Sequence, residues 1–325
     1  RALDLQQDNA EALNLRGILG RDNGLPTAQA QADFEQAHAL EPHNPYFLSN
    51  IAITLDELGQ LAQARAWWQR LLSLPTPDAG HPGDVLLLQA RGAEQLDYTA
   101  KQSQLLQLAT ERMPDDFEAW LQYGHSCTSL GQDLQARDAY QHALRIEPDN
   151  VHALSALMRA ERCVGDWQQY ETRLQQVLHA AVHSDVPVNP FLMTIVSDDL
   201  ALQRRTAELE SALIGQHIHP LPFASNPARS AGQQRLRIGY FSADFHDHAT
   251  SYLMAQMLES HDRQHFEIFA YSFGPNARQH SYRQRLERGI EHFHEVSALG
   301  PRTIAELART HKLDIAVDLK GHTRQ

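Results

Sequence analysis

The sequence is poor in cysteine, in long apolar runs and in positive charge. Cys127 and Cys163 are the only cysteines in 325 residues, too few for a disulfide framework, which fits a compartment that keeps thiols reduced. No apolar run approaches the roughly 20 residues that cross a bilayer, and the N-terminus has no signal-peptide pattern. These absences predict a cytoplasmic protein that does not insert into a membrane.

Negative charge is in excess and is unevenly distributed. The net charge is -12, from 28 basic and 40 acidic residues. Residues 235–325 carry 12 basic and 11 acidic side chains, so residues 1–234 carry the other 16 basic and 29 acidic ones, a net -13. This balance argues against a nucleic-acid partner, because phosphates need basic residues. It also indicates two regions, in line with the length.

The N-terminal region is repetitive. Three similar segments begin at Ala2, Ala37 and Ala143, with 35 residues between the first two starts and 106 between the last two, close to one and three periods of the tetratricopeptide repeat. The best copy spans residues 117–150 and has the expected residues of that repeat: Trp120, Tyr123, Gly124, Leu130, Gly131, Ala136, Tyr140, Ala143 and Pro148. The sequence therefore predicts an α superhelix of tetratricopeptide repeats over residues 1–180.

Arrays of this kind usually bind proteins along a concave groove. The position of each unit that faces the groove is Asn14, Asn50 and Gln122 in three of the units. Carboxamides there would hydrogen-bond the backbone of an extended peptide without reading its side chains. We therefore predict a groove for protein or peptide partners, with the alternative that these are scattered polar surface residues left open. The sequence does not decide whether the array forms a homodimer.

Beyond residue 180 the repeat gives way to an alternating pattern. Residues 181–234 read as a helical linker with one helix near 199–215 and a Pro-, Ser- and Asn-rich end. From residue 235, β-rich runs at 236–242, 266–273, 293–296 and 313–319 alternate with helices at 250–260, 278–289 and 301–312. This alternation predicts a parallel sheet with helices on its faces.

The candidate site residues lie in two loops that follow predicted strands, where such sheets bind ligands. The loop after the first strand holds Asp244, His246, Asp247, His248, Thr250 and Ser251 at a helix N-terminus, which suits an anion or sugar hydroxyls. There is no glycine-rich phosphate cradle, so a dinucleotide fingerprint is absent. Thr250 and Ser251 are alternatively helix caps, and His248 is alternatively a structural residue bonded to loop backbone.

Paired histidines raise the question of a metal. His246-Asp-His248 and His292-Phe-His294 each space two imidazoles for one face of a strand. The sequence offers no third and fourth ligand at convincing spacing. We therefore predict neither a metal nor another cofactor.

The second region resembles a known enzyme family. The stretch Leu236-Arg-Ile-Gly-Tyr-Phe-Ser-Ala-Asp-Phe-His-Asp-His-Ala-Thr-Ser251, followed by Asp314-Ile-Ala-Val-Asp-Leu-Lys-Gly-His-Thr323, resembles the nucleocytoplasmic O-linked N-acetylglucosamine transferases. The likeness is strongest to bacterial members, such as the one from Xanthomonas, and to the related SPINDLY proteins. It implies that residues 235–325 begin the Rossmann-like N-lobe of a two-lobed GT-B glycosyltransferase.

The resemblance also implies a reaction. Family members transfer N-acetylglucosamine from UDP-N-acetylglucosamine to Ser or Thr of proteins, with inversion and without a metal. The C-terminal lobe, which supplies the UDP-binding groups, is expected to be absent from this sequence, so this stretch alone should be inactive. SPINDLY-like transfer of fucose from GDP-fucose and a non-catalytic repeat scaffold are the alternatives.

Individual residues are matched to the family by motif. His248 matches its active-site histidine and Asp244 the aspartate four residues earlier, both considered for deprotonating or orienting the acceptor hydroxyl, which is a weak nucleophile. The positions expected to contact substrate are Thr250, Ser251, Gly321, His322 and Thr323. One departure is His246-Asp247, where the animal loop has Gly-Asn, which adds a competing base.

Overall fold

The computed structural model describes residues 9–22, 27–77, 83–216, 218, 220–221, 235–274 and 278–321. These residues form two compact units that divide near residue 218. We call the first the repeat unit and the second the sheet unit. No helix among the described residues is long and apolar enough to cross a membrane.

The repeat unit is helical throughout. Its helices are α1 (Ala10–Asp22), α2 (Thr27–Leu40), α3 (Pro45–Glu57), α4 (Leu61–Ser73), α5 (Asp84–Gln95), α6 (Thr99–Arg112), α7 (Phe117–Ser129), α8 (Asp133–Ile146), α9 (Val151–Cys163), α10 (Tyr170–His183), α11 (Pro190–Val196) and α12 (Leu200–Gly215). The predicted repeat fold is confirmed, and α5 and α6 occupy a stretch in which the repeat pattern is weak.

The best repeat, α7 with α8, shows why its residue types are needed. A Cβ atom on Gly124 would overlap the ring of Tyr140, so only glycine lets the two helices approach this closely. Gly131 has φ +69 and reverses the chain between the helices at a conformation that other residues adopt at a cost. Asp116 begins α7 as an N-cap, since its side chain accepts from the N–H of Ala119 at 2.8 Å.

The segment before the sheet unit contains a helix that the sequence did not predict. Helix α11 is short, and Asn189 caps it by accepting from the N–H of Leu192 at 2.9 Å. Pro190 occupies the first turn, where a missing N–H costs nothing. Helices α11 and α12 therefore lie within the predicted linker of 181–234, whose boundaries stay a prediction.

The sheet unit has four parallel strands in the order β3-β2-β1-β4. Its elements are β1 (Leu236–Ser242), α13 (Ala249–Glu259), β2 (Phe266–Ser272), α14 (Ser281–Gly289), β3 (His292–Glu295), α15 (Pro301–Thr310) and β4 (Ile315–Asp318). In register, Ser242 lies opposite Ser272 and Phe241 opposite Asp318. The predicted parallel sheet is confirmed, with bounds that differ by up to three residues.

Candidate active site

The carboxyl ends of β1 and β4 are neighbours, because the two strands pair directly and in parallel. The loop after β1 and the turn after β4 therefore meet at one edge of the sheet, as such sheets place their ligands. The sequence alone did not show that these two strands are adjacent.

The loop after β1 is anchored in the core of the sheet unit. Phe245 is 2% exposed and packs edge-on against Phe293, with ring centroids 5.7 Å apart. The hydroxyl of Ser251 donates to the backbone oxygen of Asp244 at 2.6 Å, and the N–H of Asp244 donates to the hydroxyl of Ser242 at 3.0 Å. Asp244 is thus held in one place. Ser251 is itself buried, so it supports the loop, and its substrate contact stays a prediction.

The carboxylate of Asp244 is the centre of a charged network. Asp244 is 6% exposed. The ammonium group of Lys320 lies 3.0 Å from each of its two oxygens. The hydroxyl of Thr250 donates to Oδ2 at 3.3 Å. The imidazole Nδ1 of His248 lies 3.6 Å from the same oxygen.

The turn after β4 aims Lys320 at this carboxylate. Asp318 accepts from the backbone N–H of Lys320 at 2.8 Å and from that of Gly321 at 3.1 Å. Gly321 has φ +50, in the left-handed region that favours glycine. The predicted site residues Asp244, His248 and Thr250 are therefore joined by Lys320, which sequence reasoning did not assign to the site.

His248, rather than Thr250 or Ser251, caps helix α13. Its Nδ1 accepts from the backbone N–H of Thr250 at 3.1 Å. Capping by Thr250 or Ser251, one alternative from the sequence, is wrong. The bond from His248 to loop backbone, which the sequence offered as its structural role, is present. The His248 side chain nevertheless remains 42% exposed.

The residues that depart from the animal loop also have defined contacts. Asp247 accepts from the N–H of Tyr282 at 2.8 Å and thus ties the first turn of α14 to the loop. The ring of His246 lies 5.6 Å from that of His248 and 6.0 Å from that of His280. The Asp247 carboxylate is thereby bonded to the helix, and a competing base at His246-Asp247 stays a prediction.

The two histidines of β3 contact different partners. His292 lies 3.0 Å from Glu267, and His294 stacks on His311 at 4.5 Å. Burial and the nearby imidazoles lower the pKa of His294. Within the ranges that the structure describes, no three His, Cys, Asp or Glu side chains cluster as metal ligands would. Metal independence stays a prediction.

In the repeat unit, the amides predicted to line the groove bond to neighbours in the chain. Asn50 donates to Asn14 at 2.8 Å, which links two successive repeats. Gln122 donates to Glu118 at 2.7 Å, one turn away on its own helix. Peptide binding by these three amides stays a prediction.

Two predicted substrate residues, His322 and Thr323, lie outside the described residues. The sequence could have marked Lys320 as a site residue, because Lys320 follows a strand that is predicted to end at the ligand-binding edge. What the sequence lacked was the strand order that brings β4 next to β1.

Chemically, the edge offers a hydroxyl-binding arrangement. A buried carboxylate, an imidazole, a threonine hydroxyl and an ammonium group lie within a few ångströms of one another. Such a set is able to bind and orient a polar hydroxyl group and to hold or move its proton.

Three family models match the chain. A model described as glycosyl transferase family 41 matches residues 164–325. Tetratricopeptide repeat models match residues 27–79 and 117–150.

Proteins with similar sequences are named for one activity. A probable UDP-N-acetylglucosamine–peptide N-acetylglucosaminyltransferase, SEC of Arabidopsis thaliana, is 32% identical over 154 residues, which are 46% of this chain and 14% of that protein. The same activity is named for SPINDLY of Arabidopsis thaliana, 33% identical over 94 residues, which are 28% of this chain and 10% of that protein. The chain thus spans a small part of the length of these relatives.

A solved structure shows a related fold. An O-GlcNAc transferase mutant from Thermobaculum terrenum superimposes with a TM-score of 0.56 at 22% identity, covering 76% of this chain and 48% of that one. This similarity concerns the fold alone.

Proposed function

Because the chain belongs to glycosyl transferase family 41, by the match of its residues 164–325, and carries tetratricopeptide repeats before them, we propose that the full-length protein is an inverting protein O-glycosyltransferase. In this proposal it moves N-acetylglucosamine from UDP-N-acetylglucosamine to Ser or Thr hydroxyls. The observation that carries the proposal is the Asp244–His248–Thr250 network at the carboxyl edge of a parallel sheet.

In this proposal the network receives the acceptor hydroxyl. An alcohol attacks the sugar carbon poorly unless it is oriented and relieved of its proton as the bond forms. The exposed end of the His248 ring is available for a hydrogen bond to that hydroxyl, while Asp244 is buried behind it. The leaving UDP is an anion and needs cationic groups and helix dipoles at its phosphates. We assign those groups to the C-terminal lobe.

In this proposal the repeat unit binds and recruits the acceptor protein. The inter-repeat pair of Asn50 and Asn14 places amide groups on successive repeats. Such amides bond peptide backbone of any sequence. This supports recruitment of varied protein acceptors, with specificity set by the presentation of a Ser or Thr to the sheet edge.

The first experiment is calorimetric titration of UDP and of GDP, separately, into the full-length protein. Micromolar binding of UDP with negligible binding of GDP is the expected result, because the proposed donor is a UDP sugar. Preference for GDP would move the assignment to fucosyl transfer from GDP-fucose. Binding of neither nucleotide would leave a repeat scaffold whose sheet unit no longer catalyses.

A transfer assay then tests the site. His248→Ala should lower kcat/KM for sugar transfer to a protein acceptor by about 100-fold, the range expected for the loss of a group that orients the acceptor hydroxyl. His265→Ala is the matched control, since His265 is exposed on the same unit and is bonded to Asp262. Full transfer by His248→Ala would remove His248 from the reaction.

Transfer that persists with a metal chelator is the expected outcome for the metal-independent mechanism.

A further inference from the structure

The imidazole of His248 has a definite hydrogen-bond direction. The backbone N–H of Thr250 donates to Nδ1 at 3.1 Å. An N–H donates only to a ring nitrogen that carries no proton, so Nδ1 is the acceptor and the proton of the neutral ring is on Nε2. Neutral His248 therefore presents an N–H, not a lone pair, at the end of the ring that points away from the cap.

The neighbouring carboxylate opposes this arrangement. Oδ2 of Asp244 lies 3.6 Å from Nδ1, and a carboxylate at that distance favours a proton on the facing nitrogen. If Nδ1 took up that proton, the N–H of Thr250 would lose its acceptor and α13 its cap. The effective charge on Asp244 thus decides which form of His248 is stable.

Lys320 reduces that effective charge. Its ammonium group lies 3.0 Å from both oxygens of Asp244. The Asp244 side chain is 8% exposed and that of Lys320 is 26% exposed, so solvent and salt screen the pair less than a surface pair. The Thr250 hydroxyl lies 3.3 Å from Oδ2 and 3.2 Å from Nδ1, so with Nδ1 unprotonated its single proton is shared between the carboxylate and the ring nitrogen.

We propose that Lys320 is a positioning residue that, by neutralising Asp244, keeps Nδ1 of His248 unprotonated and so fixes Nε2–H as a hydrogen-bond donor towards the substrate. The part of this proposal that concerns substrate rests on the proposed glycosyl transfer. The part that concerns the tautomer does not. For neutral His248 to accept a proton at Nε2, the ring would first have to lose its proton from Nε2 and gain one at Nδ1, which would release the cap.

Other charged and titratable groups surround His248 and must be held constant. Asp247 is adjacent in the chain and bonded to α14. His246 lies 5.6 Å away, ring to ring, and His280 at the start of α14 lies 6.0 Å from His246. None of these is changed in the variants below, so differences between the variants report on Lys320 and Asp244.

The test is long-range proton–nitrogen correlation spectroscopy on full-length protein with 15N-labelled histidine, recorded across the pH range in which histidine titrates. The His248 signal is identified by its loss in His248→Gln. In the wild-type protein we expect the neutral ring to carry its proton on Nε2. In Lys320→Gln we expect Nδ1 of His248 to gain proton occupancy, since Asp244 is then uncompensated.

Three further variants bracket the effect. Lys320→Arg keeps the charge and should keep the proton of neutral His248 on Nε2, as in the wild-type protein. Lys312→Gln removes the same charge from an exposed position of the same unit and should leave His248 unchanged. Asp244→Asn combined with Lys320→Gln removes the carboxylate, so the gain in proton occupancy at Nδ1 should disappear.

The proposal is overturned if neutral wild-type His248 carries its proton on Nδ1, or if Lys320→Gln leaves the proton occupancy of Nδ1 at the wild-type level. These readouts need no sugar transfer. Failure of nucleotide binding would therefore reject the glycosyltransferase proposal alone, and an unchanged proton position on His248 in an active Lys320→Gln enzyme would reject the role of Lys320 alone.

Discussion

The repeat unit and the sheet unit are held together by contacts of different reach along the chain. In the repeat unit, the indole of Trp68 donates to Asp56, 12 residues away, and Arg173 bonds Glu161, also 12 away. In the sheet unit, Lys320 reaches Asp244 across 76 residues, and Asp314 accepts from the N–H of Arg237 across 77. A repeat contact forms once two neighbouring helices exist, whereas the candidate site exists only in the assembled sheet.

The largest expected effect is the removal of a buried side chain from the repeat unit. Trp68 is 1% exposed, packs beside Gly92 on α5, and bonds Asp56 at 2.9 Å. Trp68→Ala leaves a cavity and an unpaired, half-buried carboxylate, so we expect it to lower the free energy of unfolding of this unit by about 4 kcal/mol. Amide hydrogen exchange measured by mass spectrometry reports the loss of stability separately in each unit.

Trp167→Ala is the matched control, because Trp167 is 56% exposed. It should cost less than about 1 kcal/mol. If contacts in the repeat unit are local, faster exchange after Trp68→Ala should be confined to that unit. Equal acceleration of β1 and β2 would show that the two units unfold together and would break the comparison.

The next largest effect concerns a buried cation of the sheet unit. Arg283 is 1% exposed and donates to Ser272 at 2.8 Å and to Glu295 at 2.8 Å, at the ends of β2 and β3. Its guanidinium also lies 4.3 Å from the centre of the Phe293 ring. Arg283→Met fills much of the volume but leaves Glu295 uncompensated, so we expect a loss of about 3 kcal/mol in this unit.

Arg288→Met removes an exposed arginine from the same helix and provides the control for Arg283→Met. Its cost should stay within about 0.5 kcal/mol. Guanidine unfolding followed by exchange in β2 and β3 distinguishes the two. Equal stability of both variants would mean that Arg283 does not tie these strand ends together.

The same difference in reach explains what the sequence predicted. The repeat at residues 117–150 is readable because Gly124, Ala136 and Tyr140 meet within one helix pair. The four strands of the sheet unit were also readable, since they are short β-rich segments that alternate with predicted helices. Helix α11 was missed because seven residues give too short a period to detect.

The site was predictable only in part. Asp244, His248 and Thr250 are close in sequence, in the loop after β1 and the first turn of α13, so their proximity follows from the chain itself. Lys320 was missed because its contact depends on the strand order β3-β2-β1-β4, which no local pattern encodes. The capping role of His248 was missed because capping is usually a task of Ser, Thr, Asp or Asn.

The smallest effect is a pH dependence expected of the sheet unit. Burial, and then the imidazoles of His311 and His292, lower the pKa of His294. Its pKa in the folded protein is thus below the value in the unfolded chain, about 6.5. Below that pH the unfolded state binds more protons, so the free energy of unfolding of this unit should fall as the pH decreases between the two values.

His294→Phe should weaken this dependence, because phenylalanine is able to stack on His311 without titrating and His294 Nε2 has no hydrogen-bond partner to lose within the described chain. His265→Gln removes an exposed histidine and serves as the control. The measurement is the urea midpoint of the sheet unit at several pH values, read by exchange in β1 and β2. The repeat unit supplies an internal reference, and an identical pH slope in wild type and His294→Phe would contradict the prediction.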